Sequence, residues 1–251
     1  MFHRITFTGL LLALLGVSGA NAQFYGKDVH EVANADELQR ALGSDRTVRI
    51  TTPRIELGAT EAGLAIRGHR NLRILGAPST GTEIVGAGDG AVTIADSFNI
   101  DLRQLTIRLE SAATNGVLAV VGVTNLLVRD CTLSGVAATG LTLQKAARVK
   151  LLKITVLNCG SGILRAEDTR NVLFEASRFL RNEGDRGFVL QRLYDLRLER
   201  CEFNENTFKT DLFGLTASRS VQVVGCQMND NRFPPMSVDD RNIRFLKQPG
   251  K

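Results

Sequence analysis

The apolar positions of the chain repeat on two scales. Locally they alternate: in Leu141-Thr142-Leu143, and again in Val149-Lys150-Leu151, every second residue is apolar, the period of a strand with one buried face. Over longer distances one frame, polar-apolar-x-apolar, recurs at Asn71-Leu72-Arg73-Ile74, Asn99-Ile100-Asp101-Leu102, Asn125-Leu126-Leu127-Val128, Arg148-Val149-Lys150-Leu151, Asn171-Val172-Leu173-Phe174, Asp195-Leu196-Arg197-Leu198, Ser220-Val221-Gln222-Val223 and Asn242-Ile243-Arg244-Phe245. Successive copies lie 28, 26, 23, 23, 24, 25 and 22 residues apart. A unit that short cannot bury its apolar face alone and must stack on the next, so the spacing predicts a solenoid. Each unit has room for three short strands. From Gly140 these are Leu141-Thr142-Leu143, then Val149-Lys150-Leu151 after the Ala146-Ala147-Arg148 corner, then Ile154-Thr155-Val156. Leucine-rich repeats share the period but need a helical half, which does not fit here. The expected class is therefore all-β, a parallel β-helix of about eight coils.

Turn chemistry fills in the corners. Gly116, Gly140, Gly162 and Gly187 precede the first strand of successive coils and supply a sharp turn, while Asn158, Asn182, Asn206 and Asn231 read as corners tolerant of left-handed backbone. Cys131, Cys201 and Cys226 fall at the inward position that Leu105, Ile154 and Ser177 take in other coils, and Cys159 at that of Asn182, which reads as a small-residue core stack. Cys201 and Cys226 lie in adjacent coils, where a strained disulfide is the other reading. No cysteine spacing resembles a zinc site, and no metal or cofactor is expected.

The ends of a solenoid must be covered. Residues 34–43 read as a capping helix, with Asn34 as N-cap, Glu37 three residues on, Leu38, Ala41 and Leu42 on one face and Gly43 as the stop. It belongs to an N-terminal capping segment over 23–63, ahead of the β-helix at 64–251. The C-terminal end has only Phe233-Pro234-Pro235 and a short basic tail, so a second subunit covering that edge is an expectation too. Residues 1–22 read as a signal peptide: Arg4, an apolar run from Ile5 to Val17, and Ala20-Asn21-Ala22 before Gln23. The expectation is export to the periplasm or medium, without a membrane anchor.

The Gly140-Leu141-Thr142-Leu143 piece and the polar-apolar-x-apolar frames resemble the right-handed parallel β-helix superfamily of pectate lyases and the carbohydrate-binding and sugar-hydrolase repeats, over about residues 64–246. The resemblance implies a right-handed winding and a substrate groove on the sheet formed by Leu64/Ile66, Val92/Ile94, Leu118/Val120, Leu141/Leu143, Leu164/Ala166, Phe188/Leu190 and Phe213/Leu215. The outward residues of that sheet are Arg67, Ala95, Val121, Gln144, Glu167, Gln191 and Thr216, with Arg165 beside Glu167 and Lys145, Asp168 and Arg192 at the strand ends.

Composition narrows the chemistry. Zero Trp and two Tyr argue against an aromatic sugar platform, and a net charge of +5, or +4 without Arg4, favours acidic partners weakly without implying nucleic acid. On the groove sheet, Lys145, Arg165 and Arg192 are cations for uronate carboxylates, with Arg67, Gln144 and Gln191 as further substrate contacts. For β-elimination, Lys145 or Arg165 is the base, Tyr194 the donor to the leaving oxygen, and Glu167 and Asp168 the Ca²⁺ or hydroxyl contacts. The same residues also read as solvated salt bridges between neighbouring strands. The chain departs from the lyases in lacking Trp-Ile-Asp-His and Arg-x-Pro-x-x-Arg, and from alginate epimerases in lacking Asp-Pro-His-Asp. A second charged face, Asp101, Arg103, Arg129, Lys150, Glu175, Arg197 and Glu199, reads as structural, its signs alternating along the stack. Three functions stay open: an exported binder of acidic polysaccharide or of a cell-envelope partner, a small polysaccharide lyase, and a structural rod. Coils of 22–28 residues leave little chain for a walled cleft, which favours binding.

Overall fold

A computed structural model of the chain describes residues 28–58, 63–77, 81–111, 115–234 and 242–246. They form a parallel β-solenoid with a single short helix near its N-terminal end. Three sheets wrap a common core. Sheet 1 has seven strands, from Leu64–Arg67 to Phe213–Thr216; sheet 2 has ten, from Asp28–Val32 to Ile243–Leu246; sheet 3 has eight, from Arg54–Glu56 to Gln227–Asn229. Every ladder is parallel, with strands from successive coils side by side.

The sheet 2 register reproduces each repeat interval. Leu72, Ile100, Leu126, Val149, Val172, Leu196, Val221 and Ile243 stand in one column. The polar residue that opens seven of the eight frames has a physical cause: Asn71, Asn99, Asn125, Arg148, Asn171, Asp195 and Ser220 all have φ between +52° and +67°. That left-handed region is costly for most side chains and tolerated best by Gly, Asn and Asp. The amides also tie coils together: Asn99 Nδ2 donates to Asn71 Oδ1 (2.8 Å), and Asn71 Nδ2 to Asp45 Oδ1 (2.7 Å).

Asp45 opens a further frame that the sequence pattern hides. Residues 28–56, expected as a cap ahead of a solenoid starting at Leu64, themselves contribute Asp28–Val32, Arg46–Ile50 and Arg54–Glu56 to the ladders. Arg46 stands where other copies have Leu, Ile or Val, and its guanidinium reaches the Ala41 carbonyl (3.4 Å) at the end of the helix. The helix runs Ala35–Ala41, shorter than the expected 34–43. Asn34 caps it by accepting the Glu37 N–H (2.9 Å), Glu37 reciprocates at the Ala33 N–H (2.7 Å), and Leu38 and Ala41 enter the solenoid core. The expected signal peptide and its cleavage point lie outside the described residues, as does the C-terminal tail. At the C-terminal edge Phe245 is 52% exposed.

Inside, the core is aliphatic through the early coils and aromatic later, where Phe174, Phe179, Phe188, Phe203 and Phe213 touch edge to face or tilted. Beside them runs a buried amide ladder. Asn182 Nδ2 donates to Asn206 Oδ1 (2.9 Å) and Asn206 Nδ2 to Asn231 Oδ1 (2.8 Å), while each also donates to a carbonyl of the preceding coil, Val156 and Phe179. These asparagines are therefore not the left-handed corners expected of them. The left-handed residue is one position earlier at Arg181, Glu205 and Asp230, and only Asn158 fits the expectation. Cys159 takes the ladder position one coil before Asn182 and ends it. The glycines also divide: Gly116 and Gly162 are left-handed (φ +87° and +105°), whereas Gly140 is needed because a Cβ would lie 2.4 Å from Val156 Cγ1. All four thiols are free, with Cys131, Cys201 and Cys226 in the expected inward column. Burial pushes the Cys131 and Cys159 thiols up to about 12.

Candidate functional site

Sheet 1 exposes two outward columns and a corner. Arg67, Ala95, Val121, Gln144, Glu167, Gln191 and Thr216 form one column, as the alternation predicts. Arg165 belongs to the other, between Thr142 and Val189. Lys145, Asp168 and Arg192 follow their strands at the corner into sheet 2, each left-handed with φ near +50°. Two apolar rungs separate Arg67 from Gln144, about 14 Å at 4.8 Å per coil, so Arg67 is remote from the others. Tyr194 opens a sheet 2 strand between Arg170 and Arg219 and is 52% exposed, two coils on from Lys145 and across the corner.

Ion pairing sorts these residues. Arg192 donates through Nε to Asp168 Oδ1 (2.6 Å), and through Nη2 to Asp168 Oδ2 (2.9 Å) and Glu167 Oε1 (2.6 Å). That forked contact holds the Asp168 carboxyl below the usual carboxylate range, with a smaller contribution from the field of Lys145. Both carboxylates offered for Ca²⁺ or a hydroxyl are therefore engaged by a guanidinium. Among the described residues no group of three or more His, Cys, Asp or Glu is placed to hold a metal ion. Lys145 and Arg165 are exposed and form no ion pair among the described residues.

The second charged face does not alternate as the sequence suggests. The register sets Arg129 beside Arg103 and Glu175 beside Glu199, like against like. Arg73 meets its register partner, buried Asp101 (3.1 Å), but the other pairs form off the register: Asp101 also takes Arg103 of its own strand (2.8 Å), while Glu199 and Glu175 take Arg197 and Arg200. Arg129, Arg148 and Lys150 are left without an ion pair among the described residues. They line an open trough of about 870 Å³ on the outside of sheet 2, with half-buried Leu127 and Leu173 on either side of Lys150. Alternation identifies which residues face outward, but not which cation finds a carboxylate. Counting charge coil by coil would have found this group.

A continuous stack of parallel coils with charged outer faces, its one described helix confined to the first coil, defines a parallel β-helix solenoid. The chain belongs to the right-handed β-helix region family, whose model matches residues 90–244. No curated protein matches it. In fold it is similar to an alginate lyase from Paenibacillus sp. str. FPU-7, at 11% identity over 89% of this chain and 99% of that one, TM-score 0.49. A candidate glycosyl hydrolase from Parabacteroides merdae ATCC 43184 aligns at 10% identity over 82% and 98%, TM-score 0.48. Tailspike protein 2 from the Escherichia coli O157:H7 bacteriophage CAB120 aligns at 13% identity over 78% of this chain and 38% of that one, TM-score 0.34. Among the described residues no helix is long and apolar enough to cross a membrane.

Proposed function

We propose that the protein is a noncatalytic binder of acidic polysaccharide, exported to the periplasm or medium, with Lys145 and Arg165 meeting ligand carboxylates on sheet 1. The observation that supports this reading is the charge left after internal pairing. Glu167 and Asp168 neutralise Arg192, whereas Lys145 and Arg165, in consecutive coils, are exposed and unpaired. Half-buried Gln144 and Gln191 add amide donors and acceptors for sugar hydroxyls. Exposed cations attract a chain of carboxylates through screened Coulomb forces, so binding falls as salt rises. The lyase reading asks for more: a base at the reacting proton and a donor at the leaving oxygen in one constellation.

The test is retention of the full chain on immobilised polygalacturonate and alginate, with neutral dextran as control. Retention on the acidic matrices at low salt, release by added salt and no retention on dextran is the expected outcome. Failure on every acidic matrix overturns the proposal. Unsaturated uronate absorbance that grows with the wild type and disappears in Lys145→Ala or Arg165→Ala replaces binding with β-elimination.

A further inference from the structure

The coil from Gly140 to Gly162 carries Lys145, Arg148, Lys150 and Lys153 and no Asp or Glu. The next coil, Ile163 to Arg186, carries five Arg and five Asp or Glu; the preceding one, Gly116 to Thr139, carries Arg129 and Asp130. One coil in the middle of the stack is thus a belt that carries only positive charge; Asp168 and Asp130 stand beside Lys145 and Lys153 in the neighbouring coils, but neither closes an ion pair with them. Lys145 sits at the corner between sheets 1 and 2, Arg148 and Lys150 on sheet 2, and Lys153 at the corner leading to sheet 3. All four are exposed, and none forms a hydrogen bond or ion pair through its side chain among the described residues.

The backbone argues that these cations are not there for the fold. Lys145, Arg148 and Lys153 have φ of +51°, +56° and +53°. At the equivalent positions other coils use Gly122, Asn125, Asn171 or Asp130, residues that accept this conformation more readily, or the uncharged Gln104 and Ala176. Where other cations take such corners, a partner holds them: Arg192 on Asp168, Arg181 on Asn158 Oδ1 (3.2 Å), Arg200 on Glu175. Lys145, Arg148 and Lys153 take the same conformation without such a partner.

The geometry points to a transverse anion track. An acidic glycan that meets Arg165 and Lys145 on sheet 1 continues around the same coil over the sheet 2 trough, contacting Arg148, Lys150 and, from the preceding coil, Arg129, and ends at Lys153. This inference rests on the acidic-polysaccharide reading and adds the ligand's path, across the solenoid instead of along its axis. The strand Ala147–Leu152 alone spans about 20 Å at about 3.3 Å per residue, so the ligand is an oligosaccharide of several charged units, not a single sugar acid. The half-buried Leu127 and Leu173 beside Lys150 offer apolar shoulders to ring C–H faces.

The full chain is tested by salt-gradient elution from immobilised polygalacturonate and from a sulfated glycan. Arg148→Glu/Lys150→Glu is compared with Arg178→Glu/Arg181→Glu, which makes the same charge change on the neighbouring coil. The belt pair should weaken binding about tenfold or more and the control pair less than about threefold, because only the former meets the ligand. Circular dichroism checks that both fold, and Arg148→Gln/Lys150→Gln replaces the belt pair if it does not. If the wild type binds and the belt pair binds as well as it does, or both pairs weaken binding equally, the track is overturned while acidic-glycan binding stands. If the wild type binds neither matrix, the underlying reading fails. Uptake by phosphatidylglycerol vesicles without glycan retention overturns both.

Discussion

The coil of residues 140–162 and the coil of residues 163–186 share a backbone but not a charge pattern. Leu141 stands on Leu164, Val149 on Val172 and Val156 on Phe179, and both coils turn at left-handed corners at Lys145 and Asp168. Outside, the later coil places Asp168 and Glu167 against Arg192 and Glu175 against Arg200, while the earlier one has only cations. Inward residues and corners therefore fix the fold, and the outward positions are free to differ. Charge that the fold leaves unpaired is where a ligand has something to gain.

The comparison breaks most decisively from the inside. Asn206→Ala removes the acceptor of the Asn182 N–H and Nδ2 and the donor to Phe179 O, leaving buried polar groups unsatisfied. It should cost about 2–4 kcal/mol in chemical denaturation. Arg148→Glu/Lys150→Glu, on the outside of the same solenoid, should change stability by less than about 0.5 kcal/mol while weakening glycan retention. Comparable stability losses in the two variants would show that the belt serves the fold.

The smallest effect sharpens the contrast between the coils. Arg192 holds the Asp168 carboxyl below its ordinary range, so the pairing is complete above that range and is lost as pH falls through the lowered value. Protonation of Asp168 releases its fork with Arg192, leaves Arg192 only its contact with Glu167, and brings the compensated coil closer in charge to its basic neighbour. On a sulfated glycan, which stays ionised, the wild type should need more salt for elution in acid than near neutral pH. Asp168→Asn should already show part of that gain at neutral pH and a smaller acid increment. Identical pH profiles for the two proteins would contradict the link.

Much of this was legible in the residues. The frames beginning at Asn71 through Asn242 carry the fold, because an inward apolar residue and a left-handed polar corner leave a direct mark on sequence. The frame at Asp45 was hidden because Arg46 answers to the helix end at Ala41 and not to the core. The asparagine ladder resembles a set of corners because a buried amide that satisfies a neighbouring coil looks, in sequence, like a turn residue. On the outside, alternation placed Gln144, Glu167 and Gln191 in one column correctly. It could not show that Arg192 would be captured by Glu167 and Asp168, or that Tyr194 would stand across a corner, since both depend on contacts between coils. On the sheet 2 face, sign alternation along the chain is not alternation along the stack, so Arg129 and Lys150 lack, among the described residues, the ion pairs that Asp101, Glu175 and Glu199 form.

Lysine acetylation of the full chain, with and without a saturating acidic oligosaccharide, tests the central claim most directly, read by mass spectrometry at each site. Lys145, Lys150 and Lys153 should be protected together, while Lys209, exposed beside Asp185 outside the track, keeps its reactivity. Protection of Lys145 alone, or equal protection of Lys209, would contradict the belt as the binding path.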